Sequence, residues 1–331
     1  MTPPSFDNAR STDQTTDKMR TNAGRAIDIV GRVLFGLSLL FFLTRFATLF
    51  HQIPSIRLTA TNLLFFSLAV LLATSCVALT VTVSTLFYSA GAPPITFGRC
   101  YEIVGISQIA KYIPGNIFQH IGQVALAIKK RIPGEVSVLA IGMQTFIIVL
   151  SGGSLILAGI LSGYFSAGRL LPFLSSFKEF GLPLFLAGGV GAAVFAALLP
   201  RVRGWFLARR AFCSPLRLIS AFLLYWIVFG LYGIISSLLL ALLSGSHVPL
   251  RWYDFSWGFA AAWLAGFLVP GAPAGLGIRE TVFLLLYEKT LGQGTTLALA
   301  VLLRVVSALG DLITFLIASR KGGVRAAESV S

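Results

Sequence analysis

Few ionisable side chains stand inside the apolar runs of this chain, and those few fall into a pattern. Glu102, Lys111 and the titratable His120 share one segment, Arg279 and Glu280 a second, and Arg304 and Asp311 the last apolar run. Charge in such surroundings is costly and normally faces a partner or a water-filled cavity. Arg304 and Asp311 are seven residues apart, so on a helix they share a face about two turns apart, with Ser307 between them. Lys111 and Arg279 each stand beside a Pro/Gly break. The first break runs Lys111-Tyr-Ile-Pro-Gly-Asn-Ile-Phe-Gln-His-Ile-Gly-Gln123, and the second Val269-Pro-Gly-Ala-Pro-Ala-Gly-Leu-Gly-Ile-Arg-Glu280.

The chemistry that suits these residues is the holding of an anion. Arginine grips phosphate through two parallel N–H donors and lysine acts as a point charge. A helix that restarts after a break adds backbone donors. The candidate binding residues are therefore Lys111, Asn116, Gln119, His120, Arg279, Glu280, Arg304 and Asp311, with Glu280 and Glu102 as the carboxyls that could take a proton. None is assigned a catalytic role. Plainer readings stand beside these. Lys111 and Arg279 can snorkel to a membrane surface, and Arg304 and Asp311 can pair with each other or, across helices, with Glu280 and Arg279. Glu102 can pair with Arg99, and His120 can be a hydrogen-bonded structural residue. Asn116 and Gln119 can satisfy backbone groups freed at the break.

Composition sets the environment of these residues. Of 331 residues, 56% are hydrophobic and 11% charged, and the mean hydropathy is +0.85. A soluble domain carries roughly 25% charged residues, so a soluble fold is excluded. The formal net charge of +14 comes from basic residues flanking apolar runs, which points to topology and anionic lipid headgroups rather than nucleic acid. Cys76, Cys100 and Cys213 are scattered and read as small apolar residues. There is no phosphate loop, no D-x-x-D and no H-x-x-x-H arrangement, so the sequence calls for no cofactor and no metal.

The elements that must position the candidates follow from hydropathy. Residues 1–26 read as a disordered cytoplasmic tail, 27–319 as a single transmembrane domain, and 320–331 as a second cytoplasmic tail. Spanning helices are expected over 27–50, 62–88, 135–163, 181–199, 218–244 and 295–318. Segments 100–128 and 252–291 hold the breaks. Gly152, Gly153, Gly159 and Gly163 suit close helix approach. The basic N-tail, 99–131 region, 201–217 loop and C-tail are placed in the cytoplasm, which requires an even number of crossings. The expected fold is thus an all-α polytopic membrane protein. It has about six full helices plus two Pro/Gly-broken re-entrant hairpins, or short helix pairs, entering from opposite faces. Residues 62–163 and 218–318 then form an inverted repeat. Its structural motif residues are Pro114, Gly115 and Gly122 against Pro270, Gly271, Gly275 and Gly277. Paired broken segments of this kind point to a transport site at the membrane midplane.

Lys111-Tyr-Ile-Pro-Gly-Asn with Ile121-Gly122, and Pro270 through Gly275-Leu-Gly-Ile-Arg-Glu280, resemble the lysylphosphatidylglycerol synthase transmembrane (flippase-like) family over about residues 30–318. Two positions depart from its pattern. Ala274 stands where a glycine is usual before Gly275, and Gln123 follows Gly122 where arginine is frequent. The resemblance implies a multi-pass bacterial inner-membrane protein that moves a polar or anionic lipid, aminoacylated or polyprenyl-phosphate-linked, between leaflets, without the synthase domain of the two-part enzymes. The alternatives are an intramembrane enzyme acting on a lipid headgroup, and a non-transporting partner of an enzyme of lipid or envelope biosynthesis. The expected partners are membrane lipids, and the sequence carries no signal for an oligomeric state.

Overall fold

The computed structural model describes residues 59–91, 95–112, 118–164, 210–244, 250–268 and 275–328. The expected helices over 27–50 and 181–199 lie outside these residues, as do Pro114, Gly115, Asn116, Pro270 and Gly271. Among the described residues every regular element is helical. In chain order they are α1 (Ala60–Gly91), α2 (Phe97–Ser107) running into a 3₁₀ turn (Gln108–Tyr112), and α3 (Phe118–Lys129). Next come α4 (Gly134–Leu161), a 3₁₀ turn (Arg210–Cys213) and α5 (Pro215–Ser244). The last three are α6 (Trp252–Leu268), α7 (Ile278–Leu291) and α8 (Gln293–Glu328).

Four of these helices are long and apolar enough to cross a membrane: α1, α4, α5 and the Gln293–Arg320 part of α8. At 1.5 Å rise per residue, 20 residues cover the roughly 30 Å hydrocarbon core, so each exceeds what a crossing needs. They coincide with four of the expected spans. Hydroxyl side chains do not spoil α1, because Thr74, Thr80, Thr82 and Thr85 each donate to the carbonyl four residues earlier. One boundary differs. The backbone of α8 stays helical to Glu328 rather than ending near 319, and no proline interrupts Arg320 to Glu328.

The segments expected to be broken are split into pairs of shorter helices, α2 with α3 and α6 with α7. Thr96 caps α2 by accepting from the Arg99 backbone N–H. After α3 the chain turns within four residues. Ile132 N–H donates to the Ala127 carbonyl and Arg131 N–H to that of Ile128, with Arg131 in the left-handed region at φ 63°, a Schellman closure. Before α7, Gly275 and Gly277 have φ of +71° and +82°, which side chains resist. Gly122, in contrast, lies inside α3, where an added Cβ would meet only the Ser107 Cβ at 3.9 Å. Its expected role in the break is not required by space or backbone. Gly153 is likewise exposed with open space around it, whereas Gly152 packs on Leu264 and Phe229.

Packing partners come in matched sets. α1 meets α2 as α5 meets α6, α2 meets α3 as α6 meets α7, and α3 meets α4 as α7 meets α8. α1 meets α4 as α5 meets α8, α4 meets α5 as α8 meets α1, and α4 meets α6 as α8 meets α2. α1 and α5 meet each other. Small residues set several of these contacts. A Cβ on Gly310 of α8 would come within 3.1 Å of the Ala73 backbone of α1, and one on Gly233 of α5 within 2.3 Å of the Trp252 carbonyl of α6. Such close approach lets dispersion hold helices together where lipid is as apolar as leucine. Large apolar side chains on the outside, among them Leu64, Phe146, Leu161, Leu216 and Leu316, stay exposed. The interior holds two main clusters, one around Val81, Tyr88, Ile103, Ala140 and Tyr225, the other around Ala73, Leu239, Phe255, Tyr287 and Val306.

Candidate functional site

Between those clusters lies a cavity of about 260 Å³. One wall comes from the first half of the described chain. It is built by the 3₁₀ turn after α2 with Lys111 and Tyr112, by α3 with Gln119, His120 and Gln123, and by α4 with Gln144. The other wall comes from α6, α7 and α8 and carries Trp263, Arg279, Glu280, Arg304, Ser307 and Asp311. Of the eight expected binding residues, seven line this one space, and Asn116 lies outside the described residues. The candidates were separated by up to 200 positions in sequence (Lys111 to Asp311), so only the fold brings them together.

The charges are mutually arranged. Lys111 Nζ lies 2.7 Å from Asp311 Oδ2 and donates to Gln108 Oε1 at 3.2 Å. The Tyr112 hydroxyl donates to the same Asp311 oxygen at 2.6 Å. Arg304 Nε stands 3.9 Å from Glu280 Oε1, a loose ion pair. Partner pairing and cavity lining thus coexist. Neither Lys111 nor Arg279 reaches for the surface as a snorkelling residue would. Arg279 turns inward, its guanidinium carbon 5.7 Å from the Trp263 ring centre, a cation–π distance. Its aliphatic stem lies over Gly266 and Gly275, where a Cβ would come within 2.6 Å and 2.7 Å of Arg279 atoms. Gly266 of α6 and Gly275 of the second break therefore make room for the arginine.

Among the described residues, five buried polar atoms of this lining have no hydrogen-bond partner: His120 Nδ1, Gln123 Nε2, Gln144 Nε2, Arg279 Nε and Glu280 Oε2. Buried polar groups are nearly always satisfied by protein or water, and a cluster of exceptions marks a place where something else supplies the partner. Among the described residues no carboxylate is paired with Arg279. Among the described residues the lining holds three cations (Lys111, Arg279, Arg304) and two carboxylates (Glu280, Asp311), one formal positive charge in excess with histidine counted neutral. Among the described residues no group of His, Cys, Asp and Glu could hold a metal ion.

Glu102 does not belong to this site. It is fully buried and pairs with Lys130 at the end of α3, not with the exposed Arg99 expected from the sequence. The aromatic residues at the start of α6 form their own group, with Tyr253 and Trp257 ring centres 5.2 Å apart and Tyr164 and Trp257 5.3 Å apart. They lie at the end of α4 and the start of α6, where interfacial aromatics belong. Sequence reasoning missed Tyr112, Gln144 and Trp263 as lining residues, and treated Gln123 only as an absent arginine. Gln144 had a signal, since an amide in mid-helix among apolar neighbours is costly unless it faces a polar space. No known family matches the chain, and no curated protein or solved structure matches it.

Proposed function

We propose that this protein is a lipid translocator whose cavity receives the polar, anionic headgroup of a membrane lipid while the chains remain in the bilayer. The carrying observation is Arg279, half-buried with its Nε fully enclosed, inward-facing and without a carboxylate partner among the described residues, in a cavity whose described lining has one surplus positive charge. At about 260 Å³ the space falls below the roughly 300–1,000 Å³ of pockets that enclose drug-sized ligands, a size that suits a headgroup and not a whole lipid. The exposed apolar faces of the four long helices suit acyl chains around it. The matched packing sets support an inverted repeat in which α2–α3 and α6–α7 are re-entrant pairs between six spanning helices, with both termini in the cytoplasm of a bacterial inner membrane. The resemblance to the flippase-like family, carried by the two Pro/Gly motifs, agrees with this reading, although no family model matches the chain.

Reconstitution tests the proposal. Vesicles containing the protein should move fluorescent phosphatidylglycerol between leaflets several-fold faster than protein-free vesicles, and Arg279→Gln should abolish the gain. No acceleration for any anionic or aminoacylated lipid would remove the translocator reading. For the repeat, Gly115→Cys and Gly271→Cys in a Cys213→Ser background should react with an impermeant thiol reagent from opposite faces. Labelling of both from one face would rule out the inversion.

A further inference from the structure

The two halves pack alike but do not carry the same chemistry on their cavity walls. Gln123 stands nine residues after Pro114, as Arg279 stands nine residues after Pro270. Gln144 lies on α4, whose matched helix α8 carries Arg304 and Asp311. Where the second half presents Arg279, Arg304 and Asp311, the matched positions of the first present amides, and the one charge on its described lining, Lys111, is engaged by Asp311. Gln123 and Gln144 are only 4% and 8% exposed, and both keep an unpartnered Nε2 in the lining. Gln144 is held in place by Ser84, whose hydroxyl donates to Oε1 at 2.9 Å, so its amide N–H donors are what it has left to offer. His120 Nδ1 adds a third unsatisfied atom on the same wall.

Net charge narrows the ligand further. Lys111 is engaged by Asp311 and Arg304 stands against Glu280, so a single negative charge at Arg279 would neutralise the cavity. An ammonium on the headgroup would restore the surplus, and the described lining of the first half contains no carboxylate to receive it. Uncharged hydroxyl groups suit that wall better, because each hydroxyl oxygen accepts from an amide N–H and donates in turn. Resting on the reading of the cavity as a headgroup site, we propose that it prefers a phosphodiester monoanion bearing an uncharged polyol- or sugar-type headgroup. The phosphate sits at Arg279 and the hydroxyls at Gln123 and Gln144.

Equilibrium binding to the full chain in detergent tests this with four probes. They are dihexanoyl-phosphatidylglycerol, dihexanoyl-phosphatidylmethanol, dihexanoyl-phosphatidylethanolamine and the chain-free glycerophosphoglycerol. Phosphatidylglycerol should bind about tenfold tighter than phosphatidylmethanol, the factor that one or two net hydrogen bonds carry, and tighter again than the ethanolamine lipid. Gln123→Leu combined with Gln144→Leu should bring phosphatidylglycerol down to the level of phosphatidylmethanol. Gln123→Glu, which puts a carboxylate on the amide wall, should turn the preference toward the ethanolamine headgroup. Equal affinity of the wild type for the glycerol and methyl esters, a preference that survives the double variant, or binding of none of the probes overturns the inference. Glycerophosphoglycerol binding as tightly as the lipid keeps the chemistry and assigns the site to a soluble phosphodiester. A wild-type preference for phosphatidylglycerol with no lipid movement in vesicles keeps the site and removes translocation.

Discussion

Gly266→Ala offers a sharp test of what positions Arg279, because the change adds one methyl group outside the lining. The new Cβ would lie 2.6 Å from Arg279 Cγ, 2.9 Å from Nε and 3.2 Å from the Gly275 Cα. Carbon atoms sit comfortably at about 3.5–4.0 Å, so the arginine stem must retreat by about 1 Å. The Gly275 backbone has to give only a few tenths. A shift of about 1 Å in a positioned group can cost on the order of a hundredfold in function. The helix itself does not lose, since alanine is favoured over glycine by up to about 1 kcal/mol inside a helix and by less in a last turn, where Gly266 stands. The variant should therefore fold and melt like the wild type in detergent, yet lose headgroup binding and lipid movement by about tenfold to a hundredfold. Gly153→Ala is the matched control, for its Cβ meets nothing within 4 Å, and it should behave as wild type in both assays. A Gly266→Ala protein that moves lipid at the wild-type rate would refute the idea that Arg279 is held in place by the glycines beneath it.

Other outcomes follow from the ion pairs and thiols. Asp311→Asn leaves Lys111 without its carboxylate; breaking a buried pair costs about 3–5 kcal/mol, and with the Lys111 side chain 26% exposed the loss should fall to about 1–3 kcal/mol. Thermal unfolding in detergent should show that loss and its partial recovery in Lys111→Met with Asp311→Leu; an Asp311→Asn protein as stable as wild type would contradict it. Glu102→Gln should destabilise through Lys130 while leaving headgroup selectivity intact, because that pair lies outside the cavity; altered selectivity would tie Glu102 to the site. Cys213 is exposed while Cys76 and Cys100 are buried, so an impermeant maleimide should label the native protein once and only from the cytoplasmic face, and labelling from outside would reverse the proposed topology.

Much of the site was legible in the sequence because charge inside apolar runs is rare and each instance must be compensated. Arg279, Glu280, Arg304 and Asp311 stand out for that reason, and the seven-residue spacing alone places the last two on one helix face. Glu102 shows where such reasoning stops. Arg99 is its neighbour at helical spacing, but α2 turns Glu102 into the packing against α3, and the partner it meets there is Lys130. That choice is made by how two helices dock, which local spacing does not encode. Tyr112 and Trp263 were illegible for a related reason. An aromatic residue in an apolar run reads as packing, and only its position opposite Asp311 or Arg279 gives it a polar task. The long helices followed hydropathy closely, whereas the glycines had to be sorted by contact. Gly275 has a positive φ and lies against Arg279, whereas a Cβ added at Gly122 would meet only that of Ser107.

The distribution of ion pairs bears on how the cavity could work. Arg304 and Glu280 both belong to the second half, on α8 and α7, so that pair can travel as a unit when the halves shift. Lys111 and Tyr112 belong to the first half and both hold Asp311 of the second. Any motion that parts the 3₁₀ turn after α2 from α8 must break these two contacts together, and so exposes a buried carboxylate and a lysine at once. Leaving both unpaired in a low-dielectric space is costly, so these contacts resist the parting of the halves. An anion entering beside Arg279 offers Lys111 a second negative partner and lowers the cost of releasing Asp311. If the cavity carries a headgroup as proposed, the negative charge of that headgroup would ease the separation of the halves, and a headgroup without it would not.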